Sequence, residues 1–210
     1  MALTRILLVR HGDVPGIEPE RFRGRADLPL TELGWRQAAA TAQWVRQHWQ
    51  PAALYTSPLR RCVQTGSVIA EASGLSAQAL PALLDLDYGE WQGRSCEEVR
   101  NTSPADYQRW RCAPQRQRFP GGESLSELEG RVVQALQDIM QRHGGATVLI
   151  VAHDSTNRVS LLWALGLSLA AYWRLVQSPC AISELEADDA LIRVRRMNET
   201  AHLELLHPSA

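Results

Sequence analysis

The chain of 210 residues contains no lysine; arginine supplies all 22 of its basic side chains. That absence removes Schiff-base chemistry and any Walker-type lysine from consideration. An anion bound by this protein must be held by arginine, histidine or backbone amides. No apolar run approaches the ~20 residues of a membrane span. The apolar stretch at residues 6–9 is too short for a signal peptide. The four cysteines, Cys62, Cys96, Cys112 and Cys180, lack C-x-x-C spacing and any zinc pattern. They read as reduced thiols, so the expectation is a cytoplasmic protein without a membrane partner. A net charge of −1 gives no electrostatic footprint for nucleic acid.

What is present is an ordinary globular composition, 45% hydrophobic and 21% charged, in a length that suits one domain with a substantial core. Two short segments stand out. Leu7-Leu8-Val9-Arg10-His11-Gly12 and Leu149-Ile150-Val151-Ala152-His153-Asp154 are apolar runs that each stop at a histidine. In an open α/β sheet such a stop is the carboxyl end of a strand, where ligands bind. Two strand-end histidines, one preceded by Arg10, point to an imidazole nucleophile in a cationic pocket.

The rest of the chain supports an alternation of strands and helices. Strands are expected at residues 4–9, 53–56 and 147–152, with two late strands at 181–187 and 191–198 joined by Asp188-Asp189. A polar loop holding Pro15, Gly16, Pro19, Gly24 and Pro29 follows the first strand. Helices are expected from Thr31 to about Trp49, from Ser57-Pro58 to Gly74, after Ser124, and from about Ser155. Ser57 reads as an N-cap with proline in the first turn, and Gly74 as the closing glycine. Ser95–Glu98 and Ser124–Glu127 fit capping boxes. Residues 92–122, with Pro104, Pro114 and Pro120, read as otherwise irregular. The alternation predicts an α/β fold, a three-layer α/β/α sandwich around a mostly parallel central sheet. A single domain over residues 1–210 is expected, with 92–122 as a small cap insertion.

Further motifs accompany the two histidines. Arg60-Arg61 follows Ser57-Pro58. Asp85, Asp87 and Glu90 surround Tyr88-Gly89, and Phe119 is followed by Pro-Gly-Gly-Glu-Ser. In order and spacing these residues resemble the histidine phosphatase superfamily, which includes the cofactor-dependent phosphoglycerate mutases. The likeness covers nearly the whole chain. Arg10-His11-Gly12 looks like the nucleophile motif, residues 22–31 like the loop after it, and Ser57-Pro58-Leu59 with Arg61 and Thr65 like the second-arginine helix. Gly89-Glu90-Trp91-Gln92-Gly93 is similar to the acid-loop signature.

The resemblance implies His11 as the nucleophile, forming a phosphohistidine, with Arg10, Arg61 and His153 around the phosphoryl group. The physics agrees. A neutral imidazole attacks a phosphate dianion without charge repulsion, and guanidinium forks can hold its equatorial oxygens. A protonated His153 would add a third positive partner. The leaving alkoxide needs a proton from a carboxylic acid. The family position falls on Asp85, where the pattern carries glutamate; Glu90 is the alternative and Asp87 a third. Gly12, Arg23, Glu90 and Asp154 are the expected substrate contacts, with Asp154 required to point away or pair with an arginine. Ile17 replaces an asparagine that the mutases use on phosphate. Six arginines crowd residues 92–122 and offer either a substrate-selecting lid or a solvated face. His48, His143, His202 and His207 offer no metal site, and neither metal nor cofactor is expected.

The expected function is therefore a metal-independent phosphatase acting on a small phosphorylated metabolite, as a monomer or homodimer. The short chain and the Pro-Gly-Gly-Glu-Ser stretch resemble the α-ribazole phosphatases. A phosphoglycerate mutase, or a non-catalytic phospholigand-binding protein on the same fold, are the alternatives.

Overall fold

The structure, a computed structural model, describes residues 3–17, 20–188 and 190–206. Pro19, the turn residue Asp189 and His207 lie outside the described residues. The first strand, β1 (Thr4–Arg10), is buried on both faces, which is why it reads as an unbroken apolar run instead of an alternating one. The same holds for β4 (Thr147–Ala152). With β2 (Ala53–Thr56), β3 (Ala77–Ala79), β5 (Ile182–Ala187) and β6 (Ile192–Glu199) they form one sheet in the order β3-β2-β4-β1-β5-β6. The strands from β3 to β1 run parallel, while β5 pairs antiparallel with β1 and β6 with β5.

Helices cover both faces. On one, Leu7, Val9, Leu149 and Val151 pack with Ala42 and Val45 of α1 (Glu32–His48) and with Cys62 and Ile69 of α2 (Arg60–Ser73). On the other, Ile6, Leu8, Val148 and Ile150 meet further helices. These are α5 (Leu125–Arg142), through Leu128, Val132 and Leu136, and α6 (Asp154–Ala164), through Val159 and Leu162. The period of two along each central strand thus feeds two cores, giving the expected three layers. Each fully buried leucine, isoleucine or valine contributes about 1.5–3 kcal/mol against its exposed state.

The helix signals hold at most ends. Thr31 caps α1 by accepting from Gly34 N at 3.1 Å, Gly74 closes α2 at φ 65°, and the Ser124–Glu127 capping box opens α5. Three expectations need correction. First, α2 starts at Arg60 after Leu59, which makes no side-chain cap, so Ser57 is not its N-cap. Second, residues 92–122 are not irregular: they hold α3 (Cys96–Thr102), behind the Ser95 capping box, and α4 (Pro104–Cys112), in which Pro104 occupies the tolerated first turn. Third, β3 is a strand that the sequence pattern does not announce, because Ala77-Gln78-Ala79 is exposed throughout and carries no apolar alternation.

The β1–β4 register places the two histidines side by side. Arg10 lies opposite Ala152, so the next residue of each strand, His11 and His153, leaves the sheet at the same level. The loop after β1 is held tightly against the start of α1. A Cβ on Gly12 would meet Gly34 O at 2.6 Å, and one on Gly34 would meet Asp13 O at 2.2 Å. Gly34→Ala should therefore lower stability by about 1–3 kcal/mol through overpacking. Gly130→Ala, on an exposed face of α5 with open space around it, should raise stability by about 0.5–1 kcal/mol. Thermal unfolding tests the pair, with about 2–4 °C expected per kcal/mol. Shifts of the same sign would refute the packing argument.

Candidate active site

His11 is 1% exposed, and its Nδ1 lies 2.8 Å from the carbonyl oxygen of Gly12. A carbonyl only accepts, so Nδ1 carries the hydrogen and Nε2 keeps a bare lone pair. Burial, then the charges of Arg61 and Arg10, hold the His11 pKa well below the usual 6.5. The ring is neutral near pH 7, with the lone pair of Nε2 unprotonated. Gly12 N–H in turn donates to Thr65 Oγ1 at 3.0 Å, tying the loop to α2.

Arg61 is fully buried, and its donors are satisfied one by one. NH1 reaches Ala26 O and NH2 reaches Gly24 O, both at 2.7 Å; NH2 also meets Asp85 Oδ2 at 3.2 Å. Nε donates to His153 Nδ1 at 3.2 Å. That bond settles the second histidine. Nδ1 is an acceptor, so the proton sits on Nε2, which donates to Ser57 Oγ at 2.8 Å. Burial, followed by Arg61 and His11, lowers the His153 pKa well below 6.5. His153 is therefore neutral here, a correction to its expected role as a third cation. The two imidazoles stand edge to face with centroids 5.3 Å apart.

Arg10 completes the group. Its NH1 donates to Gln177 O, while its Nε is buried with no hydrogen-bond partner among the described residues. Two guanidinium groups and two neutral imidazoles face one carboxylate, Asp85, which leaves a surplus of positive charge suited to a phosphate dianion.

Asp85 is buried, and burial raises its pKa from the usual carboxylate value despite the opposing pull of Arg61. Its Oδ1 accepts from Leu86 N at 2.9 Å. The loop is fixed from α5: Arg131 donates to the carbonyl oxygens of Ala82, Leu84 and Asp85 at 2.7–3.0 Å and pairs with Glu123 at 2.6 Å. Glu123 also accepts from Asp87 N. The other acid candidates are placed elsewhere. Glu90 is exposed on a short 3-10 turn (Gly89–Trp91), and Asp87 caps Gly89 N and pairs with Arg25 at 3.1 Å. Asp154 pairs with Arg158 at 2.6 Å, as a carboxylate at that position must.

A cavity adjoins this group, walled by Arg23, Asp85 and Asp154 together with Tyr107, Trp110 and Arg111. Asp85 belongs to both, touching Arg61 and facing the cavity. Arg10, His11, Arg61 and His153 are too deeply buried to form its wall, and Glu90 does not line it. Of the expected site residues the structure thus gathers Arg10, His11, Gly12, Arg61, Asp85 and His153, sets Arg23 and Asp154 at the cavity, and leaves Glu90 outside. Sequence reasoning misses Ser57 as the partner of His153, Gln177 as the anchor of Arg10, and the Arg131–Glu123 pair. Only Ser57 carries a signal, its position just past a buried strand. Among the described residues no three His, Cys, Asp or Glu side chains are placed to hold a metal ion. No helix among them is long and apolar enough to cross a membrane.

Comparison with known proteins agrees with this geometry. Residues 6–200 match the histidine phosphatase superfamily (branch 1). The chain is 32% identical to phosphoserine phosphatase 1 of Hydrogenobacter thermophilus, over 96% of this chain and 95% of that protein. It is 31% identical to a probable phosphoglycerate mutase, GpmB, of Yersinia pestis, over 97% and 96% of the two chains. The solved structure of Bacillus stearothermophilus YhfR superposes with a TM-score of 0.91 at 26% identity, over 96% of this chain and all of that one.

The buried histidines make stability depend on pH. Folding depresses both pKa values, so below about 6.5 the unfolded chain binds protons that the folded one refuses. Stability is complete above that pH and falls below it, by up to about 1.4 kcal/mol per pH unit for each histidine. Asp85, whose pKa is raised, acts in the opposite sense but is one group against two. The melting temperature should drop as pH falls from 7 to 5.5, and less steeply in His11→Ala. Equal slopes in both proteins would count against a buried neutral His11.

Proposed function

Because this chain belongs to the histidine phosphatase superfamily, branch 1, we propose that it is a metal-independent phosphatase that hydrolyses a small phosphomonoester through a phosphohistidine on His11. One observation carries the reading. The Nδ1–Gly12 hydrogen bond leaves Nε2 of a neutral, buried imidazole free beside two guanidinium groups.

In this reading the phosphoryl dianion takes the place that the surplus positive charge prepares. Arg10 offers its unpartnered Nε–H, and Arg23 approaches from the cavity side. His11 Nε2 forms a bond to phosphorus while the bond to the leaving oxygen breaks. Asp85, whose pKa burial raises, gives that oxygen its proton. Water then attacks the phosphohistidine, Asp85 takes back a proton, and inorganic phosphate leaves with His11 restored. His153, neutral and locked between Arg61 and Ser57, orients the guanidinium. Positive charge from the arginines does what a metal ion does in other phosphoryl-transfer sites.

The intact donor set argues against a merely binding protein. The mutase reading has less support, since Ile17, where mutases place a phosphate-binding asparagine, packs against the apolar cluster of Val14, Leu30 and Leu203. The Pro-Gly-Gly-Glu-Ser stretch supports no particular substrate, because Glu123 is spent on Arg131 and Asp87 N–H. Phosphoserine and α-ribazole phosphate head the compounds to be screened.

Purified protein should release phosphate with EDTA present throughout, and His11→Ala should abolish release while melting as a folded protein. Labelled substrate quenched in alkali should leave an acid-labile adduct on His11. Near wild-type turnover in His11→Ala, or loss in EDTA with recovery on adding Mg²⁺ or Zn²⁺, would sink this mechanism.

The acid is tested separately. Asp85→Asn should slow alkyl phosphates by about 10²–10⁴-fold and aryl phosphates far less, because a phenolate leaves without protonation. Glu90→Gln should show no such dependence on the leaving group. The reverse pattern would move the acid role to Glu90.

A further inference from the structure

We propose that Arg131 and Glu123 are positioning residues for the proton donor, holding the backbone of residues 82–87 so that the Asp85 carboxyl reaches the leaving oxygen. The inference rests on the phosphatase reading with Asp85 as its acid. It gives a role in the reaction to two residues that do not line the cavity.

Residues 84–88 belong to no helix or strand. Leu83 and Leu86 are buried and pin the segment to the core on either side of Asp85. They do not orient the peptide groups between them. The carbonyl oxygens of Ala82, Leu84 and Asp85 accept from no backbone N–H among the described residues. Arg131 supplies the missing donors. Its NH1 donates to Ala82 O at 2.8 Å and to Leu84 O at 2.7 Å, and its NH2 to Asp85 O at 3.0 Å. The other N–H groups go to Glu123, from Nε at 3.2 Å and from NH2 at 2.6 Å, so all five donors of the fork are used. Thr156 Oγ1 adds only a long contact to Leu84 O, at 3.4 Å.

Glu123 grips the other end of the segment. Its carboxylate accepts from Asp87 N at 2.9 Å, and its own N–H donates to Asp87 O at 3.0 Å. The two stretches are pressed together, since a Cβ on Gly122 would meet Asp87 O at 2.3 Å. The Pro-Gly-Gly-Glu-Ser stretch is thus one half of a brace, and Arg131 on α5 is the other. The helix itself is seated by Leu128, Val132 and Leu136 in the core, so the brace stands on a rigid element.

The short side chain of Asp85 makes the brace matter. Its Oδ1 accepts from Leu86 N at 2.9 Å, and its Oδ2 meets Arg61 NH2 at 3.2 Å. The carboxyl is tied to the backbone of the very next residue, so it travels with that backbone. A displacement of about 1 Å at a reacting group can cost about 10²-fold in rate. Charge is not the route. Burial, Arg61, Leu86 N–H, Arg23 and Asp154 lead in setting the pKa of Asp85, and Arg131 is not among them. On His153 the charge of Arg131 ranks behind burial, Arg61, His11 and Arg10. Arg131 acts on the acid through geometry.

Propyl phosphate, whose alkoxide needs a proton, and p-nitrophenyl phosphate, whose phenolate does not, test the idea. The readout is the ratio of kcat/KM for propyl phosphate to that for p-nitrophenyl phosphate, which cancels any loss of folded enzyme. Arg131→Gln should lower this ratio about ten-fold or more. Arg131→Lys keeps a cation but offers its donors from one atom, so it should lower the ratio too, and it serves where Arg131→Gln does not fold. In an Asp85→Asn background, with no acid left to position, Arg131→Gln should leave the ratio unchanged. The control is Arg5→Gln. Arg5 pairs with Glu184 at 2.6 Å and Glu186 at 2.8 Å near the opposite end of β1, and its loss should keep the wild-type ratio. A wild-type ratio in Arg131→Gln, or in Arg131→Lys where only that variant folds, would overturn the inference. So would a further fall in the Asp85→Asn background, or an equal fall in Arg5→Gln; each leaves the phosphatase reading standing. Failure of the wild type to hydrolyse p-nitrophenyl phosphate would instead overturn that reading, and this inference with it.

Discussion

A guanidinium with no exposure to water has to find a partner for nearly every N–H it carries, and Arg61 is such a group. Its partners come from three separate parts of the chain: two loop carbonyls after β1, the strand-end His153 and the carboxylate of Asp85. None of these can drift without stranding a buried charge. Breaking a buried ion pair from one side costs about 3–5 kcal/mol. That penalty makes Arg61 the point around which the strand ends, the acid loop and α2 are assembled. The same constraint chooses the chemistry of its neighbour. Because Arg61 Nε can only donate, His153 Nδ1 can only accept, and the tautomer of the second histidine follows from the burial of an arginine some distance along the chain.

The charge balance that results is lopsided. Arg10 and Arg61 face one carboxylate, and that carboxylate is biased by burial toward its neutral form. Among the described residues Arg10 Nε is buried without a partner, which leaves one N–H to offer to an anion. At such depth the effective dielectric is low, which makes a phosphate dianion worth more here than at the surface. The same surplus suppresses protonation of both imidazoles. A single arrangement therefore combines a surplus of positive charge with neutral imidazoles, the two conditions that the proposed mechanism needs.

Much of this is legible in the sequence because the central strands are buried on both faces. Apolar runs that end at a histidine can be located to within a residue, as β1 and β4 are. Local signals of helix ends also hold, at Thr31, Gly74, Ser95 and Ser124. What escapes is non-local or ambiguous. Ser57-Pro58 has the form of a helix start, yet the hydroxyl turns to His153, because a buried imidazole N–H outbids a helix end that the backbone can satisfy. Arg131 looks like one arginine among many on an amphipathic helix. Only the fold reveals that it binds three carbonyls of the acid loop. The charge of His153 cannot be read from residue type either, since it depends on burial and on the direction of one hydrogen bond. Residues 92–122 carry three prolines that look like breaks. Pro104 instead opens a helix, and the aromatic cluster of Trp110, Phe119 and Trp173 that organises the segment spans more than sixty residues of chain.

The two halves of the site rest on different kinds of structure. The proposed nucleophile and Arg10 sit at the end of a paired strand, where register is fixed by hydrogen bonds on both sides and a slip would invert both cores. The cavity wall rests on α4 and on the 3-10 turn that carries Trp173, joined to each other through aromatic packing. Packing of that kind tolerates exchange of similar side chains more readily than a strand register tolerates a shift. Asp85 stands at the junction. Its backbone is clamped by Arg131 from α5, while its side chain touches Arg61 on one side and lines the cavity on the other. A change of substrate can therefore be made in the wall without disturbing the group that would perform the reaction. The reverse does not hold, since displacing Asp85 disturbs Arg61 and, through it, His153.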